Sequence, residues 1–283
     1  MNLYKTSLFA LFVIGLSACN LNREVDIDLP NYESQPVVEC YLTPGSTYKL
    51  TLTKSNSYFD PFGNGDLLQY LDAIQIKNAR VEIRHGLDTI VLANTPTLDP
   101  VTLKAYNYVS DQMVPFDFEG SFELYIQLED GREITGLTNI LAAIPIDSVV
   151  VSFNETDTLA RTLCYITDPD LSTRQYFRRF LNYDSLDSIP EQDFITDDQL
   201  IESGQFVFGS GYENRVQDTV FNTIATIDKA YFSFITSVMN SAASNGNPFA
   251  QPGVIKSNVF GSAKPLGIFT GYAQSQIMTI IAK

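Results

Sequence analysis

The chain has 283 residues, of which 45% are hydrophobic and 12% aromatic, so it has enough apolar side chain for a sizeable core and is not a disordered chain. Its formal net charge of -15 opposes binding to nucleic acid and to anionic lipid headgroups, because such binding depends on neutralising phosphates with Lys and Arg. We interpret the charge as a solvated acidic surface and expect no nucleic-acid partner.

The first 18 residues predict a lipoprotein signal peptide. Lys5 is the only early charged side chain, and the apolar run after it is shorter than the about 20 residues that span a bilayer. The run ends in Leu16-Ser17-Ala18-Cys19, which resembles the lipobox of bacterial lipoproteins, where the cysteine is acylated and the preceding segment is removed. The alternative is an ordinary secretory signal followed by an incidental cysteine. Both interpretations send the protein out of the cytoplasm.

Cys19 is the one site residue that the sequence predicts, as a lipidation site. Several acyl chains, palmitate among them, bury far more methylene than one myristoyl chain, at about 0.8 kcal/mol per CH₂, so we expect a stable membrane anchor. Residues 19–35 then form an acidic tether that contains Glu24, Asp26 and Asp28. The sequence has no other uncharged stretch near membrane-spanning length, so the lipid is the only anchor that we expect.

Short strands separated by turn residues predict a β-sandwich of immunoglobulin-like type over residues 36–145. Tyr48 to Thr53 alternates apolar and polar side chains, which is the period of a half-buried strand. Ala79 to His85 alternates in the same way, and residues 87–92 are its predicted hairpin partner across Gly86.

The end of this first domain carries its most regular pattern. Phe116 and Phe118 are predicted to lie in strands, together with the apolar residues that follow Gly120. Asp130-Gly131 lies between two such segments, which is the strongest short-range signal for a hairpin. We place the domain boundary at Pro145.

Residues 146–283 predict a second β-rich domain that carries one helix. Strands are predicted at residues 146–153 and 162–166, and residues 184–202 are acidic and predict a long loop. An extended segment follows, and apolar residues then recur at helical spacing over residues 228–243, with Asp228 as the N-cap. The fold class is therefore mainly β.

Two cysteines remain once Cys19 is acylated. Cys40 and Cys164 lie in apolar strand-like segments, where a free cysteine packs as a small hydrophobic residue. A disulfide is the alternative, since the expected compartment allows one. We favour two buried thiols because a bridge would need Cα atoms within about 7 Å, and the two segments are predicted to lie in different domains.

The sequence contains little of the chemistry that catalysis needs. His85 is the only histidine, it ends a strand, and no nucleophile motif accompanies it. The acid pairs Asp168/Asp170 and Asp197/Asp198 leave acid–base catalysis or calcium binding open, but each pair is typical of a solvated turn. We expect no metal site, no cofactor and no enzymatic activity. A carbohydrate-stacking platform would have to use tyrosine or phenylalanine, because tryptophan is absent. The candidates are Tyr58, Phe59, Tyr106 and Tyr108, which we interpret mostly as core or sheet-edge aromatics.

Several segments together resemble a family of Bacteroidota envelope lipoproteins catalogued as domain of unknown function 4249. The resemblance spans nearly the whole mature chain. The residues that carry it are the lipobox, Pro36-Val37-Val38-Glu39, the Phe122-to-Thr138 hairpin, Asn247-Pro248-Phe249-Ala250-Gln251-Pro252, Ser257-Asn258-Val259 and Gly267-Ile268-Phe269-Thr270-Gly271-Tyr272.

The resemblance implies an outer-membrane lipoprotein encoded near a TonB-dependent receptor. That genomic setting implies an accessory role in ligand binding or uptake, with the membrane and the receptor as partners. The family defines no catalytic residues, so none is carried over. The facing leaflet, the ligand and the oligomeric state stay open.

Two other functions remain as alternatives. One is a structural or adhesive surface module that acts without a transporter. The other is a carboxylate-dependent hydrolase, for which the two acid pairs are the only motivation.

Overall fold

The computed structural model describes residues 32–56, 67–100, 104–156, 158–168, 170, 172–186, 189–199, 204–244 and 253–283. Residues 34–283 form one compact unit that contains every helix and strand below. The predicted signal peptide, Cys19 and most of the predicted tether lie outside the described residues.

The described part of the chain is mainly β, as the sequence predicted. Its elements follow in the order β1 (Pro36–Leu42), β2 (Thr47–Lys54), α1 (Leu67–Ile74), β3 (Ala79–His85), β4 (Asp88–Leu98), β5 (Ala105–Met113), β6 (Ser121–Leu128), β7 (Glu133–Asn139), β8 (Ile146–Phe153), β9 (Ala160–Thr167), β10 (Tyr176–Tyr183), β11 (Gln192–Asp197), β12 (Gln205–Gly209), β13 (Thr219–Ile227), α2 (Lys229–Ser244), β14 (Val259–Phe260), β15 (Leu266–Gly271) and β16 (Ala273–Ile280). Neither described helix is long and apolar enough to cross a membrane.

The largest sheet has nine strands in the order β14-β7-β6-β3-β4-β5-β2-β1-β15. Alternate residues of each strand point inward, as in β1, where Val38, Cys40 and Leu42 are buried. They meet the inward residues of the other strands in one hydrophobic cluster. Burial of such side chains, at roughly 25 cal/mol per Å² of apolar surface, is what holds the sheet around its core.

The two edges of this sheet approach each other through Asn258. Its side chain donates to the carbonyl of Phe269 at 2.7 Å and accepts from the amide of Phe269 at 2.8 Å. The Asn258 amide thus takes the place of a strand residue beside β15, whose other side pairs in parallel with β1. The segment just before β14 thereby connects the two outer strands of the sheet, β14 and β15.

Two smaller sheets pack together beside the large one. One has the order β11-β10-β13-β16 and the other the order β12-β9-β8. Phe177 of the four-stranded sheet and Phe206 of the three-stranded sheet meet edge to face, with ring centroids 5.0 Å apart. The other face of the four-stranded sheet packs with α2 and the large sheet, around Tyr231, Phe234 and Ile268.

Several predicted elements are confirmed. β3 and β8 have the predicted bounds, and β6 and β7 form the hairpin around Asp130-Gly131. The helix covers Lys229–Ser244, and the Asp228 carboxylate accepts from the amide of Tyr231 at 2.6 Å as an N-cap. Cys40 and Cys164 are free, buried thiols in different sheets.

Two local predictions are wrong. The predicted acidic loop of residues 184–202 contains strand β11, which pairs with β10. A polar segment can form this strand because it lies at an exposed edge of the sheet, where few apolar side chains are required. Phe116 and Phe118 lie between β5 and β6 and not in strands; Phe116 is 79% exposed, and Phe118 packs against the large core.

The large sheet uses residues from both sides of the predicted boundary at Pro145. β14 and β15 follow that boundary, yet they pair with β7 and β1 respectively. The immunoglobulin-like sandwich and the two-domain division stay predictions, and the described strands form three sheets within one compact unit.

Candidate binding cleft

A cleft of about 390 Å³ lies where the outer face of the large sheet meets the four-stranded sheet. Its volume falls in the range of about 300 to 1,000 Å³ that is usual for small-molecule sites. Strand alternation places its residues. In β1 and β2 the inward residues fill the core, so Tyr41 and Lys49 point outward, and in β10 Arg178 and Phe180 point away from the three-stranded sheet.

Arg178 is the most firmly held side chain of the cleft. Its Nε and one terminal nitrogen donate to the two carboxylate oxygens of Asp193 at 2.7 and 2.6 Å, which is the bidentate geometry of a strong charge-assisted pair. Its other terminal nitrogen donates to the hydroxyl of Tyr231. The guanidinium also lies over the ring of Phe180, 4.7 Å from its centroid. Burial lowers the pKa of Arg178, but Asp193 and the nearby tyrosines raise it by more than burial lowers it. The pKa therefore lies above its ordinary value, and the side chain stays charged.

Lys104 and Glu39 form a second ion pair at the rim. The Lys104 ammonium lies 3.2 Å from a Glu39 carboxylate oxygen and 4.4 Å from the ring centroid of Tyr41. Burial raises the pKa of Tyr41, and the Glu39 charge raises it further, so its hydroxyl keeps its proton over the physiological range.

Lys49 and Asp99 form the third pair. Their nearest charged atoms are 4.0 Å apart, which is longer than a hydrogen bond, and the Lys49 ammonium lies 5.6 Å from the ring centroid of Tyr106. Tyr106, which the sequence analysis interpreted mostly as a core or edge aromatic, lines the cleft.

Three tyrosines from distant parts of the chain meet at the inner end of the cleft. The ring centroid of Tyr231 lies 5.4 Å from that of Tyr41 and 5.9 Å from that of Tyr272. Burial raises the pKa of Tyr231 above its ordinary value, while the nearby Arg178 lowers it in part. Tyr41 and Tyr272 line the cleft and pack on the buried ring of Tyr231, so the cleft offers ring surface together with fixed hydrogen-bond donors and acceptors.

Tyr108, the other stacking candidate that the structure describes, does not line this cleft. Tyr108 is only 1% exposed in the large core, where its hydroxyl donates to the carbonyl of Lys77 at 2.8 Å. Tyr58 and Phe59 lie outside the described residues. Sequence reasoning missed Arg178, Asp193 and Tyr272, because nothing in their spacing signals that distant strands bring them together.

The predicted acid pairs serve as local hydrogen-bond acceptors. Asp168 accepts from the amide of Asp170, and Asp170 accepts from the amide of Ser172, at 2.8 and 2.9 Å respectively. Asp198 accepts from the amide of Gln175 at 2.9 Å. Such bonds are typical of carboxylates that stabilise turns. Within the described ranges, no three His, Cys, Asp or Glu side chains converge as metal ligands.

His85 has a structural role in the described sheet. Its ring stacks on Phe122 with centroids 3.9 Å apart and planes 6° apart, and its Nδ1 lies 3.2 Å from the carbonyl oxygen of Ser121. The half-buried imidazole therefore helps to fix the hairpin end.

A larger cavity of about 700 Å³ lies at another part of the surface. Its lining includes Lys54, Lys77, Glu129, Asp130 and Arg132 but no aromatic residue among those described. Because small-molecule sites combine apolar ring surface with a few fixed polar groups, the smaller cleft is the better candidate.

The family model described as "Domain of unknown function (DUF4249)" matches residues 22–277. This match includes every residue that lines the cleft, although it assigns no role to any residue. No curated protein sequence matches the chain.

Proposed function

The chain belongs to the DUF4249 family, and from this premise we propose that it is a lipid-anchored envelope protein that binds a small ligand without transforming it, as an accessory to a TonB-dependent transporter of the outer membrane. The observation that carries the ligand-binding part is the cleft. Tyrosine rings and three ion pairs from four distant segments converge there, and they fix hydrogen-bonding groups beside apolar surface.

The rigidity of these groups supports binding as the role of the cleft. Arg178 is held by Asp193 and by the Tyr231 hydroxyl, so its orientation is set before any ligand arrives. Preorganised groups lose little conformational entropy when a ligand binds, which favours affinity. The tyrosines nearest to Arg178 have pKa values raised above the ordinary range, which keeps them as neutral hydroxyls and not as bases.

The membrane anchor is supported by the sequence of the signal region and its lipobox at Cys19. Metabolic labelling with an alkyne analogue of palmitate tests it. We expect label in the wild-type protein and none in the Cys19→Ala variant. Label that persists after this substitution would contradict the assignment of the anchor to Cys19.

The transporter partnership is tested by affinity capture of the anchored protein from native membranes in mild detergent. We expect a TonB-dependent receptor to be recovered with the wild-type protein and to be depleted with Cys19→Ala, because the lipid places both proteins in one membrane. Repeated absence of a receptor, with uptake unchanged after deletion of the gene, would count against the partnership. In that case loss of cell attachment on deletion would favour the structural or adhesive alternative.

A further inference from the structure

We infer that the cleft binds a neutral saccharide, whose ring packs on tyrosine and whose hydroxyls bond to the ion-paired side chains. This inference rests on the proposed ligand-binding function and names the class of ligand.

The charge of the cleft argues first for a neutral ligand. Its three cationic side chains, Lys49, Lys104 and Arg178, each have a carboxylate within 4.0 Å. An anionic ligand would have to compete with the carboxylate that each cation already has. For Arg178 this would mean breaking two charge-assisted hydrogen bonds of 2.7 and 2.6 Å to Asp193, which are of the stronger kind.

Paired charges suit hydroxyl groups in particular. A hydroxyl both donates and accepts, so one sugar hydroxyl can donate to a carboxylate while it accepts from the adjacent ammonium. Hydrogen bonds to charged groups are the stronger kind. The 4.0 Å between Lys49 and Asp99 exceeds direct hydrogen-bond length, so a ligand hydroxyl can bond to both side chains at once.

The tyrosine rings supply the apolar contact. Tyr41, Tyr106 and Tyr272 all line the cleft. The faces of aromatic rings carry partial negative charge, and the C–H groups on one face of a sugar ring carry partial positive charge, so the two surfaces attract. A tyrosine lining beside paired charges therefore matches a ligand that is apolar on its ring face and rich in hydroxyls at its edge.

The test uses the purified full-length protein in detergent and isothermal titration against a panel of neutral oligosaccharides built from glucose, galactose, mannose, xylose or N-acetylglucosamine. Uronic-acid oligosaccharides and short peptides of either charge serve as the comparison probes. We expect at least one neutral oligosaccharide to bind, with an affinity that changes little between about 0.05 and about 0.5 M NaCl, because no net charge is neutralised.

Two variants locate the site. Tyr106→Ala removes ring surface and should weaken binding by about tenfold, and Lys104→Met removes a hydroxyl partner whose side chain is 43% exposed and should also weaken it. Tyr212→Ala is the matched control, since this tyrosine lies over Arg161 away from the cleft, and it should leave binding unchanged. Thermal unfolding of each variant shows whether the fold is retained.

Two results would overturn the inference. One is binding of only uronates or charged peptides, with strong salt dependence; if Tyr106→Ala still weakens that binding, the proposed ligand-binding function stands and only the saccharide class fails. The other is a neutral saccharide that binds with an affinity that neither cleft variant changes. Failure of every neutral saccharide in the panel to bind would also overturn the inference. Receptor capture is independent of all these results, so it separates failure of the transporter role from failure of the ligand class.

Discussion

At the residue scale, Arg179 is the most unusual side chain of the described part of the chain. It is 0% exposed, and no described carboxylate forms an ion pair with it. Its guanidinium donates instead to three neutral oxygens, those of Gln192, the Gly209 carbonyl and Asn222, at 3.1, 3.0 and 2.8 Å. Burial lowers the pKa of Arg179 from its ordinary value. The side chain thus joins the two smaller sheets through hydrogen bonds and through its contact with the Phe208 ring, without an ion pair.

Arg179→Ala should lower the free energy of unfolding by about 3 kcal/mol, because three acceptors, of which Asn222 is fully buried, lose their donor and the removed side chain leaves a cavity. Urea unfolding measures the change. Arg174→Ala is the matched control: that arginine is 46% exposed, so its surface ion pairs should contribute less than about 1 kcal/mol. Equal losses for the two variants would show that Arg179 does not join the sheets as described.

At the element scale, α2 begins at an acid that the fold partly buries. Burial raises the pKa of Asp228 above its ordinary 3.8, while the amide of Tyr231 and the hydroxyl of Thr138 lower it in part. The folded state therefore binds the Asp228 proton more tightly than the unfolded state does. Its contribution to stability is present at low pH and is lost as pH rises through the folded pKa.

Asp228→Asn keeps an N-cap acceptor without the buried charge, so it should raise the free energy of unfolding at pH 7 by up to about 1 kcal/mol. The gain should vanish as the pH falls below 3.8. Urea unfolding of both proteins at a series of pH values measures this trend. Asp228→Ala is the control, because it removes the cap and should be less stable than Asp228→Asn at every pH. A gain that grows at low pH would contradict the raised pKa.

β15 depends on a glycine where it meets β1. Gly267 has a φ of +127°, and a Cβ at this position would lie 1.8 Å from the carbonyl oxygen of Val38. Gly267→Ala should therefore destabilise the fold by more than about 4 kcal/mol, as measured by thermal or urea unfolding. Gly131→Ala is the control, since Gly131 also has a positive φ of +83° but open space around it, and it should cost about 1 kcal/mol. Similar costs for both would show that β15 moves away without penalty.

Local signals predicted the elements that depend on neighbouring residues. The turn residues Asp130-Gly131 and the helical spacing after Asp228 are both short-range patterns, and the structure has the hairpin and the helix that they predict. Helix α1 was missed because eight residues are too few to show a clear period. The sequence identified Tyr106 as a stacking candidate but not Arg178, because only tertiary pairing shows that the two line one cleft.

At the scale of the whole molecule, the first domain that the sequence predicts lacks two strands of its own sheet. Residues 36–145 exclude β14 and β15, which complete the nine-stranded sheet and pair with β7 and β1. Without them, one side of β1 is an unpaired edge and part of the large core is open to water.

A fragment of residues 36–145 should therefore show no cooperative unfolding transition in urea, whereas residues 34–283 should unfold in one. Circular dichroism and fluorescence, followed on the same samples, measure this. A sigmoidal transition in the short fragment, with matching midpoints by both probes, would support the predicted two-domain division. Two separate transitions in the longer chain would do the same.

The parallel pairing of β1 with β15 also has a consequence for biosynthesis. Ribosomes add about 5 to 20 residues per second, so on the order of ten to fifty seconds pass between the synthesis of β1 and that of its partner. During that interval β1 has a bare edge and half of a core, which are the features that promote aggregation of nascent chains. We therefore expect the protein to need a holding chaperone until its last strands have been synthesised.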